Sequence, residues 1–195
     1  MVDTTTRPLT LNDYLALEQN PDRPAYELDH GIIHEMPPES ELNRRIATLL
    51  FAYFLQRGIS FERLSLKTEI IVTSHLVTAR IPDLILLSEE LTIALEQAPA
   101  SVITNDLPRP DLVVEIVSPG KENRDRDYRY KRTEYAACCI PEYWIIDPER
   151  GSVSVLEWVD GFYDVVEFVG DAAIVSPKFG TLDLLVEDLV NARRR

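Results

Sequence analysis

A single acid stands inside the apolar run Leu112-Val113-Val114-Glu115-Ile116-Val117, and a second, Asp83, interrupts Ile81-Pro82-Asp83-Leu84-Ile85-Leu86-Leu87. Short, continuous apolar runs read as strands buried on both faces, as in the middle of a sheet. A carboxylate there is costly unless something pairs with it or coordinates it. Downstream, Asp127, Lys131 and Tyr135 recur at intervals of four residues, which places them on one face of a helix. Ser118-Pro119-Gly120 stops the strand before that helix, so the face can look back at Glu115. A buried carboxylate at the end of a central strand, facing an acid and a lysine on the next helix, is what metal-dependent phosphodiester hydrolysis requires.

Each residue also has an ordinary reading. Taken alone, Asp83 is an edge-strand acid facing water and Lys131 a solvated helix residue. Together, two acids in apolar strands and a lysine on the connecting helix favour a metal site. His30 lies in a turn and His34 in an alternating strand; they share no helical face, and with His75 they read as exposed or packing residues. Cys138 and Cys139 read as buried packing residues at a helix end, with no further cysteine to complete a zinc site or a loop-closing disulfide. No glycine-serine elbow marks a serine hydrolase, and the 7 glycines form no phosphate-cradling loop.

The chain of 195 residues, 45% hydrophobic and 27% charged, suits a single domain over 1–195, with a core at about 10–160 and a C-terminal hairpin and tail over 152–195. No apolar window approaches a membrane span, and MVDTTTRPLT lacks the regions of a signal peptide, so no membrane partner and a cytoplasmic location are expected. The net charge of −13 argues against a broad non-specific nucleic-acid binder. Residues 121–132 nevertheless carry six positive and three negative side chains, a local +3, which reads either as a basic surface or as a solvated helix with internal ion pairs. Arg193-Arg194-Arg195 reads as a frayed tail.

The positioning elements follow in order. Thr10 and Asp13 cap a short helix; Tyr26 to Met36 forms a hairpin turning at Gly31 and ended by Pro37-Pro38. Leu42, Ile46, Leu49, Leu50, Tyr53 and Phe54 give an amphipathic helix from Ser40 to about Arg57, stopped at Gly58. Phe61 to Val72 reads as one strand or two, Ile81 to Leu87 as the next, and Ser88 opens a short helix towards Gln97. A proline-marked connection precedes the Glu115 strand; Tyr143 to Ile146 is a further strand, ended by Asp147-Pro148. Val153 to Trp158 and Tyr163 to Val169 form a second hairpin, and Leu182 to Val190 a terminal turn or helix. The expected fold class is α/β, a mixed central sheet flanked by helices, with a parallel crossover between the Glu115 and Tyr143 strands.

Arg80-Ile81-Pro82-Asp83, Pro110-Asp111-Leu112-Val113-Val114-Glu115-Ile116-Val117-Ser118-Pro119, the Asp127/Lys131 pair and Glu142-Tyr143-Trp144-Ile145-Ile146-Asp147-Pro148 together resemble the Uma-type family, as do Tyr26-Glu27-Leu28-Asp29-His30-Gly31 and Met36-Pro37-Pro38. The resemblance covers about residues 10–160. It implies a restriction-endonuclease-like PD-(D/E)xK core with additional β-hairpins and a DNA endonuclease dependent on magnesium, with manganese as the alternative. It further implies Asp83 and Glu115 as metal ligands, the Ile116 carbonyl as a third, and Lys131 as the catalytic lysine, moved from the strand position held here by Val117 to the following helix. Asp127 and Glu27 are its second-tier site residues. Two positions depart from the family: Asn43-Arg44 stands where His-Asn is common, removing a polar group expected near the site, and a glycine before the last strand is replaced around Cys139.

Two functions are expected from these residues. One is hydrolysis of DNA, duplex by preference, by in-line attack of a metal-activated water. The other is a catalytically weak or inactive nuclease-fold protein that binds DNA or protein and regulates. The acidic charge leaves little basic reach for duplex unless a homodimer supplies two surfaces, with Val153 to Trp158 and Phe162 to Phe168 as pairing strands.

Overall fold

The computed structural model describes residues 7–15, 26–35, 39–66, 68–73, 76–98 and 101–193. In chain order these form α1 (Leu11–Leu15), the hairpin β1 (Tyr26–Asp29) and β2 (Ile32–Glu35), α2 (Glu41–Gln56), a 3-10 turn (Phe61–Arg63), β3 (Leu64–Ser65), β4 (Glu69–Thr73), β5 (Thr78–Arg80), β6 (Leu84–Leu86), α3 (Glu89–Glu96), β7 (Val102–Ile103) and β8 (Leu112–Ile116). Helix α4 (Lys121–Asp125), a π-helical turn (Arg126–Lys131) and α5 (Arg132–Ala137) lead into β9 (Glu142–Asp147), the hairpin β10 (Ser152–Val159) and β11 (Phe162–Val169), β12 (Ala173–Ser176), β13 (Gly180–Leu185) and α6 (Val186–Val190).

Helices start where the sequence offers caps. The Thr10 hydroxyl accepts from the Asp13 N–H and the Asp13 carboxylate accepts from the Thr10 N–H, a reciprocal cap for α1. Ser40 and Ser88 each accept a backbone N–H three residues on, opening α2 and α3. Gly31 turns the first hairpin at φ +78°, where a Cβ would come within 2.6 Å of Pro8 Cβ, so neither backbone nor space admits a side chain.

A six-stranded sheet runs β11-β10-β9-β8-β6-β3 and a five-stranded one β2-β1-β5-β4-β7, with β12-β13 as a separate pair. At the centre of the larger sheet β8 pairs antiparallel with β6 and parallel with β9, the pairing expected of strands joined through a helical crossover. Its side chains alternate. Leu112, Val114 and Ile116 pack with Ile46, Leu50 and Phe54 of α2 and Val186 of α6, whereas Val113 and Val117 pack with Ile70 of β4, Leu91 of α3 and Tyr135 of α5. Glu115 therefore enters the second layer, towards α5. Among the described residues no helix is long and apolar enough to cross a membrane.

Several expectations change. Asp83 is not inside a strand: β6 begins at Leu84, and Asp83 occupies the bend after Pro82, a residue with no N–H for a ladder. The stretch Phe61 to Val72 is a 3-10 turn followed by two strands in different sheets; the Ser65 hydroxyl accepts the Thr68 N–H at 3.2 Å and turns the chain between them. Cys138 is buried but Cys139 is exposed, because it takes the left-handed position after a helix, φ 55°, and its side chain leaves the core. The terminal stretch opens as β13, where Leu182 and Leu184 alternate inward, before α6 begins. Residues 121–132 are not a uniformly solvated helix, since Asp127 and Lys131 are buried. His75, Met36-Pro37-Pro38, Pro99 and Arg194-Arg195 lie outside the described residues.

Candidate active site

Three pieces of chain meet at the end of β8. Leu84 is opposite Val114 in the antiparallel register, which brings Asp83 beside Glu115. The Ile116 N–H then donates to Asp83 Oδ2 at 2.6 Å, tying the bend to the strand. From the other side comes the π-helical turn. Its widened ring frees backbone carbonyls from their usual partners, and the Tyr143 hydroxyl donates to the Asp127 carbonyl at 3.1 Å.

That turn delivers Lys131. Its Nζ lies 2.7 Å from Glu115 Oε2, 3.4 Å from Asp127 Oδ1 and 3.5 Å from Glu27 Oε1, and all four residues are buried. The Tyr135 hydroxyl donates to the remaining oxygen of Glu115 at 2.7 Å. Glu27 Oε1 and Asp127 Oδ1 are buried without a hydrogen bond and are held by charge, Glu27 Oε1 by Lys131 and Asp127 Oδ1 by Lys131 and by Arg126 Nε at 3.6 Å. A second cation completes the group: Arg80, at the end of β5, lies 3.4 Å from Glu27, 3.2 Å from Asp29, and grips Glu134 of α5 with two nitrogens at 2.7 and 2.8 Å.

The five residues singled out by sequence thus converge, although Asp83 arrives from a bend. Sequence reasoning gave no role to Arg80, Glu134 or Asn43. Arg80 stands three residues before Asp83, within the stretch that carried the resemblance, and that was its signal.

Burial divides the acids. Loss of solvent pushes the Asp83 carboxyl up to about 7 against the pull of the Ile116 N–H and Lys131, and pushes Glu115 up to about 8 against Lys131, the charges of Asp127, Asp83 and Glu27 adding to the rise. Burial acts on Glu27 in the same direction, yet Lys131, Arg80 and Arg126 outweigh it and hold that carboxyl below its ordinary value. For Lys131 burial would lower the pKa, but Glu115, Glu27 and Asp127 prevail and raise it. The ammonium persists; two neighbouring acids lack full compensation.

This imbalance has a stability signature. Asp83 and Glu115 titrate higher folded than unfolded, so their protonation stabilises the fold fully below pH 4, and that contribution fades as pH rises through about 7 and 8. Lys131, raised from an already high value, does not change over this window. The metal-free protein is expected to lose thermal stability from pH 5 to pH 8.5, and Glu115→Gln to flatten that decline in a thermal melt series. An unchanged slope would show that Glu115 is ionised throughout.

Residues 11–187 match the Uma2 family, described as "Putative restriction endonuclease". The chain belongs to the Uma2 family. A solved structure similar to it is described as a "putative nuclease belonging to DUF820 from Anabaena variabilis ATCC 29413"; the two are 22% identical, cover 95% of this chain and 99% of that one, and superpose with a TM-score of 0.67. At that identity the likeness carries the fold alone: mixed sheets flanked by helices. A search of curated proteins finds no match.

In this Uma2 chain Val117 lies on the same face of β8 as Glu115, packed in the apolar layer with Tyr135, and brings no charge to the site. Lys131 approaches Glu115 from the π-helical turn instead. The donor set fits a hard divalent cation. Asp83, Glu115 and the Ile116 carbonyl offer oxygens only, and two acids pushed towards neutrality are the groups a cation would hold as carboxylates. Among the described residues no three or more His, Cys, Asp or Glu side chains form a metal cage of their own.

Proposed function

We propose that this Uma2 protein is an endonuclease that hydrolyses DNA phosphodiester bonds, with magnesium, or manganese in its place, held by Asp83 and Glu115. The observation that carries this reading is the Lys131 ammonium, buried and 2.7 Å from a strand-end glutamate that neighbours a second acid. Such an ion, when bound, polarises the phosphoryl oxygen and makes a bound water more acidic.

The chain's own residues do the rest. Lys131 stays protonated, so its role is to donate a hydrogen bond to the attacking water or the phosphate and to oppose developing charge, not to take a proton. Glu27 and Asp127, together with Glu115, keep that charge in place. Tyr135 fixes one oxygen of Glu115, and the Ile116 N–H fixes one oxygen of Asp83. Of the basic residues on the crossover, Arg124 is engaged with Asp147 and Glu149, which leaves Lys121 and Arg129 among the exposed ones. So small a basic surface on an acidic chain supports a homodimer as the DNA-binding form.

Calorimetric titration with magnesium and manganese, followed by nicking of supercoiled plasmid, tests the reading. Wild type is expected to bind metal and nick in a chelator-sensitive way, and Glu115→Ala to lose both. Salt-sensitive DNA binding with no nicking at any metal concentration would replace the enzyme by a binding module of the same fold.

A further inference from the structure

Both backbone groups of Ile116 are gripped. Its N–H donates to Asp83 Oδ2 at 2.6 Å, and its carbonyl accepts from Asn43 Nδ2 at 3.1 Å. Asn43, the third residue of α2, is 3% exposed, and the same nitrogen reaches Ser118 Oγ at 3.3 Å, in the turn that ends β8. The sequence expectation that Asn43 removes a polar group from the site is thereby reversed: the amide itself supplies one.

The amide has one orientation open to it. The Ser40 hydroxyl donates to Asn43 Oδ1 at 2.9 Å while accepting the Asn43 N–H at 3.1 Å, so the oxygen is occupied at the helix cap and the NH2 group is turned to β8. A flipped amide would set its oxygen against the Ile116 carbonyl. Two carbonyl lone pairs are available, and Asn43 uses one, leaving the second for another partner.

Resting on the metal-dependent reading above, we propose that Asn43 is a positioning residue for the metal site: it orients the Ile116 carbonyl as an oxygen ligand and, by holding the backbone of the same residue, steadies the N–H that fixes Asp83. Partners that orient a ligand are worth about 10- to 100-fold in metal affinity. Ser40, Asn43 and α2 thus act as the rigid support of a backbone ligand.

The test is manganese binding to the full chain, followed by electron paramagnetic resonance of the free ion, in wild type, Asn43→Leu, Asn43→His and Glu115→Ala, with a thermal melt of each. Leucine keeps the volume and cannot donate; histidine restores a ring N–H. The expected result is a loss of about 10- to 100-fold in Asn43→Leu with recovery in Asn43→His. If Asn43→Leu does not fold, Asn43→Val carries the same comparison. Wild-type affinity in the non-donating variant, while Glu115→Ala has lost binding, overturns the role of Asn43 alone. An equal loss in Asn43→His also overturns it, as a packing effect. No manganese binding in wild type overturns the metal site itself.

Discussion

Lys131→Met is expected to cost about 3–5 kcal/mol of folding stability in urea denaturation, the range for removing one partner of a buried ion pair. The reason lies in what remains: Glu115, Glu27 and Asp127 all point at the vacated position, and Glu27 Oε1 and Asp127 Oδ1 have no hydrogen bond to fall back on. Glu115→Gln should be milder, because the ammonium keeps two carboxylates and the Tyr135 hydroxyl can still donate to the amide oxygen. The double variant should therefore be more stable than the sum of the two losses implies, a coupling of about 0.5–3 kcal/mol in a double-mutant cycle. In nicking assays at saturating metal, Lys131→Met should lose about 100- to 1,000-fold in rate, the range for removing one preorganised donor. Stability equal to wild type would mean that the three acids are protonated without Lys131, and the charge assignment would fall.

How much of this was legible in the sequence follows from the distance over which each signal acts. Glu115 announced itself because a continuous apolar run has no room for a charge, and Asp127, Lys131 and Tyr135 because four-residue spacing holds along a helix face. Asp83 was found but put in a strand; Pro82 cuts the ladder before it, which an apolar pattern cannot show. The π-helical turn left no local trace, and the Tyr143 hydroxyl that takes its Asp127 carbonyl comes from the next strand. Asn43 was noticed only as a departure, because its partner is a backbone carbonyl 73 residues away, and backbone atoms carry no sequence signal. Arg80 and Glu134, 54 residues apart, each look like solvated charges until the fold joins them, Arg80 buried and Glu134 partly so.

Arg80 is the site of the other large effect. Its guanidinium joins β1 and β5 of the smaller sheet to α5, and so fixes the helix that follows Lys131 against the strand that carries Glu27. Arg80→Met strands Glu27 and part of Glu134 in a buried layer, with an expected loss of about 3–5 kcal/mol. Arg80→Lys should recover little: the two-nitrogen grip on Glu134, at 2.7 and 2.8 Å, needs a planar fork, and a point charge cannot reach Glu134, Glu27 and Asp29 in one geometry. The decisive comparison combines positions 80 and 131. Both cations lean on Glu27, at 3.4 and 3.5 Å, so once one is gone the other carries that acid with only the charge of Arg126 to help. Removing both should depart from additivity by more than about 0.5 kcal/mol. Additive losses in urea denaturation would separate the two cations, leaving Arg80 as a sheet-to-helix tie and Lys131 as the cation that serves the acids at the end of β8 independently of it.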